Sequence, residues 1–180
     1  LGKEEIQEYL DIKINENKFL YWPAWSWKTS ITITYLFDLV KNTPNAKILF
    51  LVYGNFLRYY IKQTIWNIWN NYKIESYEKY VKDLGIKGDF KEVLENYVKR
   101  NWKIDYLIID EAQDIDIEFI KNSKILANYI FIMWDNSQTI FEKKYDDNID
   151  WSEQIIEYLD INKPFDKPLK WIRRYPKAIY

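Results

Sequence analysis

Three runs of this chain tolerate only one kind of surroundings. KILFLVY (47–53), IDYLIID (104–110) and YIFIMW (129–134) are nearly unbroken apolar stretches of strand length. A strand with one wet face alternates polar and apolar residues, whereas a run without alternation is covered on both faces, as in a parallel sheet between helical layers. Helical patterns lie between the runs. Residues 28–41 carry Ile31, Ile33, Tyr35, Leu36, Leu39 and Val40, and 56–69 reads as an amphipathic helix. Residues 76–100 read as two helices broken near Gly85–Gly88, and 152–161 is helical. KFLY (18–21) is a short opening strand, and KPLKWI (167–172) is expected to be a final one. Strands alternating with helices over 180 residues predict one α/β domain built on a mostly parallel sheet.

Composition removes several kinds of chemistry. With no cysteine and no histidine, the chain can hold neither a disulfide, nor a thiolate zinc site, nor a histidine triad. The net charge of −1 gives no global field toward nucleic acid, although a local basic groove remains compatible with it. The apolar runs are too short to span a bilayer, and the N-terminus lacks a signal-peptide pattern. A bacterial cytoplasmic protein without a membrane partner is expected. The chain starts at Leu1 and stops at RRYPKAIY (173–180), so a fragment cut at both ends is expected.

The stretch FLYWPAWSWKTS (19–30) leads from the first strand into the first helix. Its Lys28-Thr29 pair stands where the phosphate-binding pattern G-x-x-x-x-G-K-[ST] ends, but Trp22 and Trp27 occupy the two glycine positions and Trp25 a third where glycine is common. Glycine belongs there because positive φ lets backbone N–H groups close around phosphate. An indole disfavours that conformation and competes for the cavity. Average usage of about 7% predicts roughly 13 glycines. Four glycines and nine tryptophans together reach that figure. UGA encodes glycine in some bacterial lineages and tryptophan in others, so these tryptophans are expected to be largely UGA codons read with the wrong table. Restored, the loop reads GPAGSGKT. Asn101-Trp102 and Asp150-Trp151 would become turn dipeptides, Trp69 a helix-ending glycine, and Trp134 a strand-end glycine. Trp66 and Trp171 stay open. The alternative is that aromatic residues, at 19%, are simply abundant and some tryptophans are core.

Two further segments carry carboxylates or amides at strand ends. LIIDEAQD (107–114) delivers Asp110 and Glu111 at the carboxyl end of a buried strand, where open α/β sheets bind ligands. Asp110 suits Mg²⁺ and Glu111 the attacking water. IMWDNSQTIF (132–141) places Asp135 and Gln138 at another such end, and a glutamine there can sense a γ-phosphate. KWIRRYPKAI (170–179) adds Arg173 and Arg174, which are by themselves ordinary surface charge.

In this order the four segments resemble the first RecA-like domain of superfamily 1 helicases of the UvrD/Rep type. That family has a GxAGSGKT loop, a DEAQD box, a GDxxQxI segment and a later NYR-type segment. The matching residues here are Trp22–Thr29, Asp110–Asp114, Trp134–Ile140 and Ile172–Tyr175. The resemblance implies a three-layer P-loop NTPase fold over residues 1–180, with ATP and Mg²⁺ as cofactors. It implies hydrolysis coupled to movement on single-stranded DNA or RNA, and a second RecA-like domain that this segment does not supply. Trp22, Pro23, Ala24, Trp25, Ser26, Trp27, Lys28, Thr29 and Ser30 become the nucleotide-binding segment. Thr29 and Asp110 become the magnesium contacts, Glu111 the catalytic base, Gln138 the γ-phosphate sensor and Arg174 the arginine of the fourth segment. Ile172 and Arg173 depart from the pattern, since Asn and Tyr are usual there. LVYGNFLRYYI (51–61) resembles a segment that touches single-stranded DNA, with Tyr53, Asn55 and Phe56 as candidates; Phe56 reads equally well as helix core. IESYEKY (74–80) resembles the next such segment, with Ser76 and Tyr77 as candidates. Gln7 lies where the family reads adenine, though a surface helix explains it as well. Two other readings stay open: a non-hydrolysing scaffold with genuine loop tryptophans, and a P-loop ATPase that does not act on nucleic acid.

Overall fold

The computed structural model describes residues 15–21, 28–64, 72–86, 89–135 and 151–161. Among these residues five strands form one sheet: β1 (Lys18–Tyr21), β2 (Ile48–Val52), β3 (Tyr72–Ser76), β4 (Ile104–Ile109) and β5 (Ala127–Trp134). Their spatial order is β1-β5-β4-β2-β3, and all four pairings are parallel. The three apolar runs are therefore β2, β4 and β5, adjacent in the middle of the sheet. Among the described residues six α-helices accompany them: α1 (Lys28–Asn42), α2 (Asn55–Thr64), α3 (Tyr77–Leu84), α4 (Phe90–Asn101), α5 (Ile117–Leu126) and α6 (Trp151–Tyr158).

The absence of alternation in the strands is explained by two cores. Ile48, Phe50, Val52, Ile108, Phe131 and Met133 point to one side, where they meet Leu36 and Leu39 of α1 and Ile61 of α2. Leu49, Leu51, Leu107, Ile109, Ile130 and Ile132 point to the other, where they meet Tyr80 of α3, Leu94 of α4, Phe119 and Ile120 of α5, and Ile155 of α6. Successive strand residues face opposite ways, so each strand must be apolar at every position to serve both layers. This is the three-layer α/β sandwich that the sequence predicts.

The expected elements at 18–21, 28–41, 76–100 and 152–161 appear with shifts of a few residues. The break near Gly85 is a left-handed helix end. Gly85 has φ 69° and donates to Lys82, while Ile86 donates to Val81. Asp89 then caps α4 by accepting from Lys91 N at 2.8 Å. Two elements escape a reading by periodicity. β3 is an edge strand with Lys73 and Glu75 in its five residues, so it lacks an apolar run. α5 passes directly from Leu126 into β5 with no glycine or proline between them. Its one legible mark is Asp116, whose carboxylate accepts from Glu118 N at 2.9 Å. The proposed strand 167–172 and the helical segment beyond Thr64 lie outside the described residues.

Three of the nine tryptophans are described, and their settings differ. Trp102 follows α4 with φ 68° and ψ 158°, and it is 78% exposed. That backbone region is essentially confined to glycine. Trp134 ends β5 in the core, its ring 6.2 Å from that of Phe19. Trp151 opens α6, with the Lys121 ammonium 5.4 Å from its ring. Replacing Trp102 by glycine relieves the strain and removes little burial. Trp102→Gly is expected to raise stability by about 1–3 kcal/mol, measured by urea unfolding, while Trp102→Ala gives no comparable gain.

Candidate functional site

All five strands run the same way, so their carboxyl ends share one edge of the sheet. β1 ends there at Tyr21, beside Trp134 of β5, and α1 begins at Lys28 seven residues on. Lys28, Thr29 and Ser30 form the first turn of α1, the end of a helix that favours anions. The loop Trp22–Trp27 and the side chains of Lys28–Ser30 lie outside the described residues. Two residues further on, fully buried Thr32 sets its hydroxyl against Met133 Sδ of β5. This fixes the start of α1 against the strand that neighbours β1.

Asp110 is the first residue past β4 and is completely buried. Its N–H donates to Leu51 O at 3.0 Å, so the ladder between β4 and β2 extends to the acid itself. Its Oδ1 accepts from Glu111 N at 3.0 Å. Glu111 then turns the chain with φ 54° and ψ 50°. A non-glycine residue held in this left-handed region costs on the order of 1–3 kcal/mol and is characteristic of functional sites. The turn opens a short 3-10 segment, Ala112–Asp114.

Gln113, which the sequence reading passed over, joins these parts. It is buried at 4% exposure. Its Nε2 donates to Glu111 Oε2 at 2.6 Å, and its Oε1 accepts from Asp135 N at 3.1 Å. One amide thus sets the orientation of the Glu111 carboxylate and ties it to the tip of β5. Only the tertiary fold reveals this, because 22 residues separate Gln113 from Asp135. Asp135 is itself buried, at 1% exposure. Gln138 and Arg174 lie outside the described residues, as does Gln7.

The nucleic-acid candidates divide. Tyr53 and Asn55 follow the carboxyl end of β2, Tyr53 half-buried and Asn55 exposed. Burial raises the Tyr53 pKa, and the charges of Glu78 and Asp114 add to it. Phe56 is in the first turn of α2, its side chain outside the described set. Ser76 is buried at 2% exposure, and Tyr77 packs edge-on against Phe119 with ring centroids 5.3 Å apart. Ser76 is thus the last residue of β3 and is enclosed, while Tyr77 opens α3 half-buried. Beside Ser76, Glu75 forms a buried ion pair with Arg58 and a second with Lys79 at 2.8 Å. Burial opposes its charge, but hydrogen bonds from Lys79 and Arg58 prevail and pull its pKa down to about 2.

No family model matches the chain, and no curated protein matches it. Solved structures do. The Pif1 helicase from Candida albicans aligns over 95% of this chain with a TM-score of 0.64 and 12% identity. The Hef helicase domain from Pyrococcus furiosus aligns over 98%, with a TM-score of 0.57 and 12% identity. The chain spans about 40% of the length of each. The parallel sheet and its two helical layers therefore share the α/β fold of RecA-like helicase domains. Among the described residues, no helix is long and apolar enough to cross a membrane.

Two outcomes follow from these contacts. Gln113→Leu removes the acceptor for Asp135 N–H and the donor to Glu111, and is expected to lower stability by about 1–3 kcal/mol in urea unfolding. For Glu75, the folded pKa lies below its ordinary value of 4.5, so its contribution is complete above about pH 4.5 and is lost as pH falls toward about 2. Glu75→Gln is expected to be less stable at neutral pH and to lose stability less steeply across that window. Parallel losses in the two proteins would assign the titration to another group.

Proposed function

We propose that this chain is the ATP-binding and ATP-hydrolysing motor domain of a superfamily 1 helicase of the UvrD/Rep type. The supporting observation is the carboxylate pair at the end of β4, with Asp110 buried on the sheet and Glu111 turned and held by Gln113. β5 alone separates β4 from β1, the strand that leads toward Lys28.

In this reading the backbone of residues 22–27 cradles the phosphates, Lys28 contacts the β- and γ-phosphates, and Thr29 and Ser30 open the helix beneath them. The Thr29 hydroxyl and the Asp110 carboxylate are hard oxygen donors of the kind Mg²⁺ takes. A carboxylate as deeply buried as Asp110 suits a role beside a cation. Bound Mg²⁺ neutralises phosphate charge. Glu111 accepts the proton of the attacking water, Gln138 senses the γ-phosphate, and Arg174 offers it positive charge. Translocation along single-stranded DNA or RNA belongs to a protein in which a second RecA-like domain closes the site.

The loop tryptophans are read as glycines in the natural protein. Support comes from Trp102, whose backbone already sits in glycine territory. Trp134 packs as a core indole and lends no support.

Calorimetry with Mg·ATP on the chain as written, and on one with glycine at positions 22, 25 and 27, tests the reading. The first is expected to bind poorly and the second measurably, since Lys28, Thr29, Asp110 and Glu111 are common to both. In the glycine-bearing protein joined to its second domain, Glu111→Gln is expected to keep ATP binding and to lose about 10²–10⁴ in turnover. Tight and equal ATP affinity in the two chains would overturn the loop assignment.

A further inference from the structure

Residues 39–74 contain no Asp or Glu, although the chain has 27 acids, and they carry Lys41, Lys47, Arg58, Lys62 and Lys73. A chain of net charge −1 thus holds, among its described helices, a locally basic stretch suited to a polyanion. α2 lies within it. Tyr59 is 59% exposed, and Lys62 and Gln63 are exposed as well. Spaced at i, i+3 and i+4, the three share one face of the helix.

Tyr59 is backed by an ordered group. The Arg58 guanidinium carbon lies 4.9 Å from its ring centroid, within cation–π range. Arg58 is fixed in turn by its ion pair with Glu75, the two side chains being 13% and 6% exposed. Lys79 completes the charge balance on the other Glu75 oxygen. The ring therefore rests on a cation held by a buried acid, while more than half of the residue stays open to solvent. Lys62 is in no ion pair among the described residues.

We infer that Tyr59 is a base-stacking platform for single-stranded nucleic acid, with Lys62 as its phosphate contact and the Arg58–Glu75 pair as its support. Stacking on an exposed ring tolerates any base, and an adjacent cation tracks the backbone. Tyr53 is less suited, because Glu78 and Asp114 bring negative charge to it. The platform lies within the segment 51–61 to which the family resemblance points, one helical turn beyond its candidates Tyr53, Asn55 and Phe56. The inference rests on the reading of the domain as one that works on nucleic acid.

Fluorescence anisotropy with labelled oligothymidylate and oligouridylate of about a dozen nucleotides tests it on the full chain. Tyr59→Ala is expected to weaken binding about 5- to 100-fold, with circular dichroism unchanged because the side chain is exposed. Tyr59→Phe keeps the ring and is expected to bind within about twofold. Lys62→Ala is expected to reduce the salt dependence by about one phosphate contact. If the unsubstituted chain binds either polymer and Tyr59→Ala binds equally well, the platform is wrong and the nucleic-acid reading stands. If the unsubstituted chain binds neither, both fall together.

Discussion

β4 is hydrogen-bonded along both edges, to β2 and to β5, and Leu107, Ile108 and Ile109 are fully buried. A strand so enclosed has one place to put polar chemistry, which is past its carboxyl end. Asp110 stands there with its N–H still in the ladder to Leu51, so the sheet rather than a loop sets its position. The strained turn at Glu111 and the two hydrogen bonds of Gln113 depend on that anchor. Close aliphatic packing beneath the edge, from Leu107, Ile109 and Ile132, supports the buried polar groups held within hydrogen-bonding distance above it.

The strand order gives these contacts their meaning. β5 follows β4 in sequence but lies between it and β1. The tip of β5 consequently touches both sides of the candidate site: Met133 meets Thr32 of α1, and Asp135 meets Gln113. The two contacts are buried and lie two residues apart at the end of one strand. The same edge continues across β2 to β3, where Glu75 organises Arg58 and Lys79. Carboxylates thus organise both the middle and one end of the edge. Asp110 belongs to the ladder in the middle, and Glu75 is paired with two cations on the outer strand β3.

The tryptophans illustrate how local geometry refines a compositional argument. As a set they look like displaced glycines. Individually, Trp102 occupies a backbone conformation suited to glycine, Trp134 fills a core position against Phe19, and Trp151 begins a helix. Backbone dihedrals separate the first from the others because a missing Cβ matters only where φ is positive.

Much of this protein was determined by local pattern. Continuous apolar runs imply two covered faces whatever the topology, so β2, β4 and β5 and the α/β class were legible in the chain. The positions of Asp110 and Glu111 followed, because residues at the end of a buried strand must emerge at its edge. Glycine at 85 marked a helix end for reasons internal to that turn. The tertiary structure alone decided what depends on contacts between distant residues. Which strand lies between β1 and β4 is set by packing and pairing across more than a hundred residues. β3 is a strand because β2 offers it an edge, despite its lysine and glutamate, and that pairing buries Ser76. Gln113 and Arg58 look like ordinary polar letters in the sequence. They acquire roles only when folding brings Asp135 and Glu75 within reach, since a hydrogen bond or an ion pair exists at about 3 Å and no spacing along the chain encodes that distance.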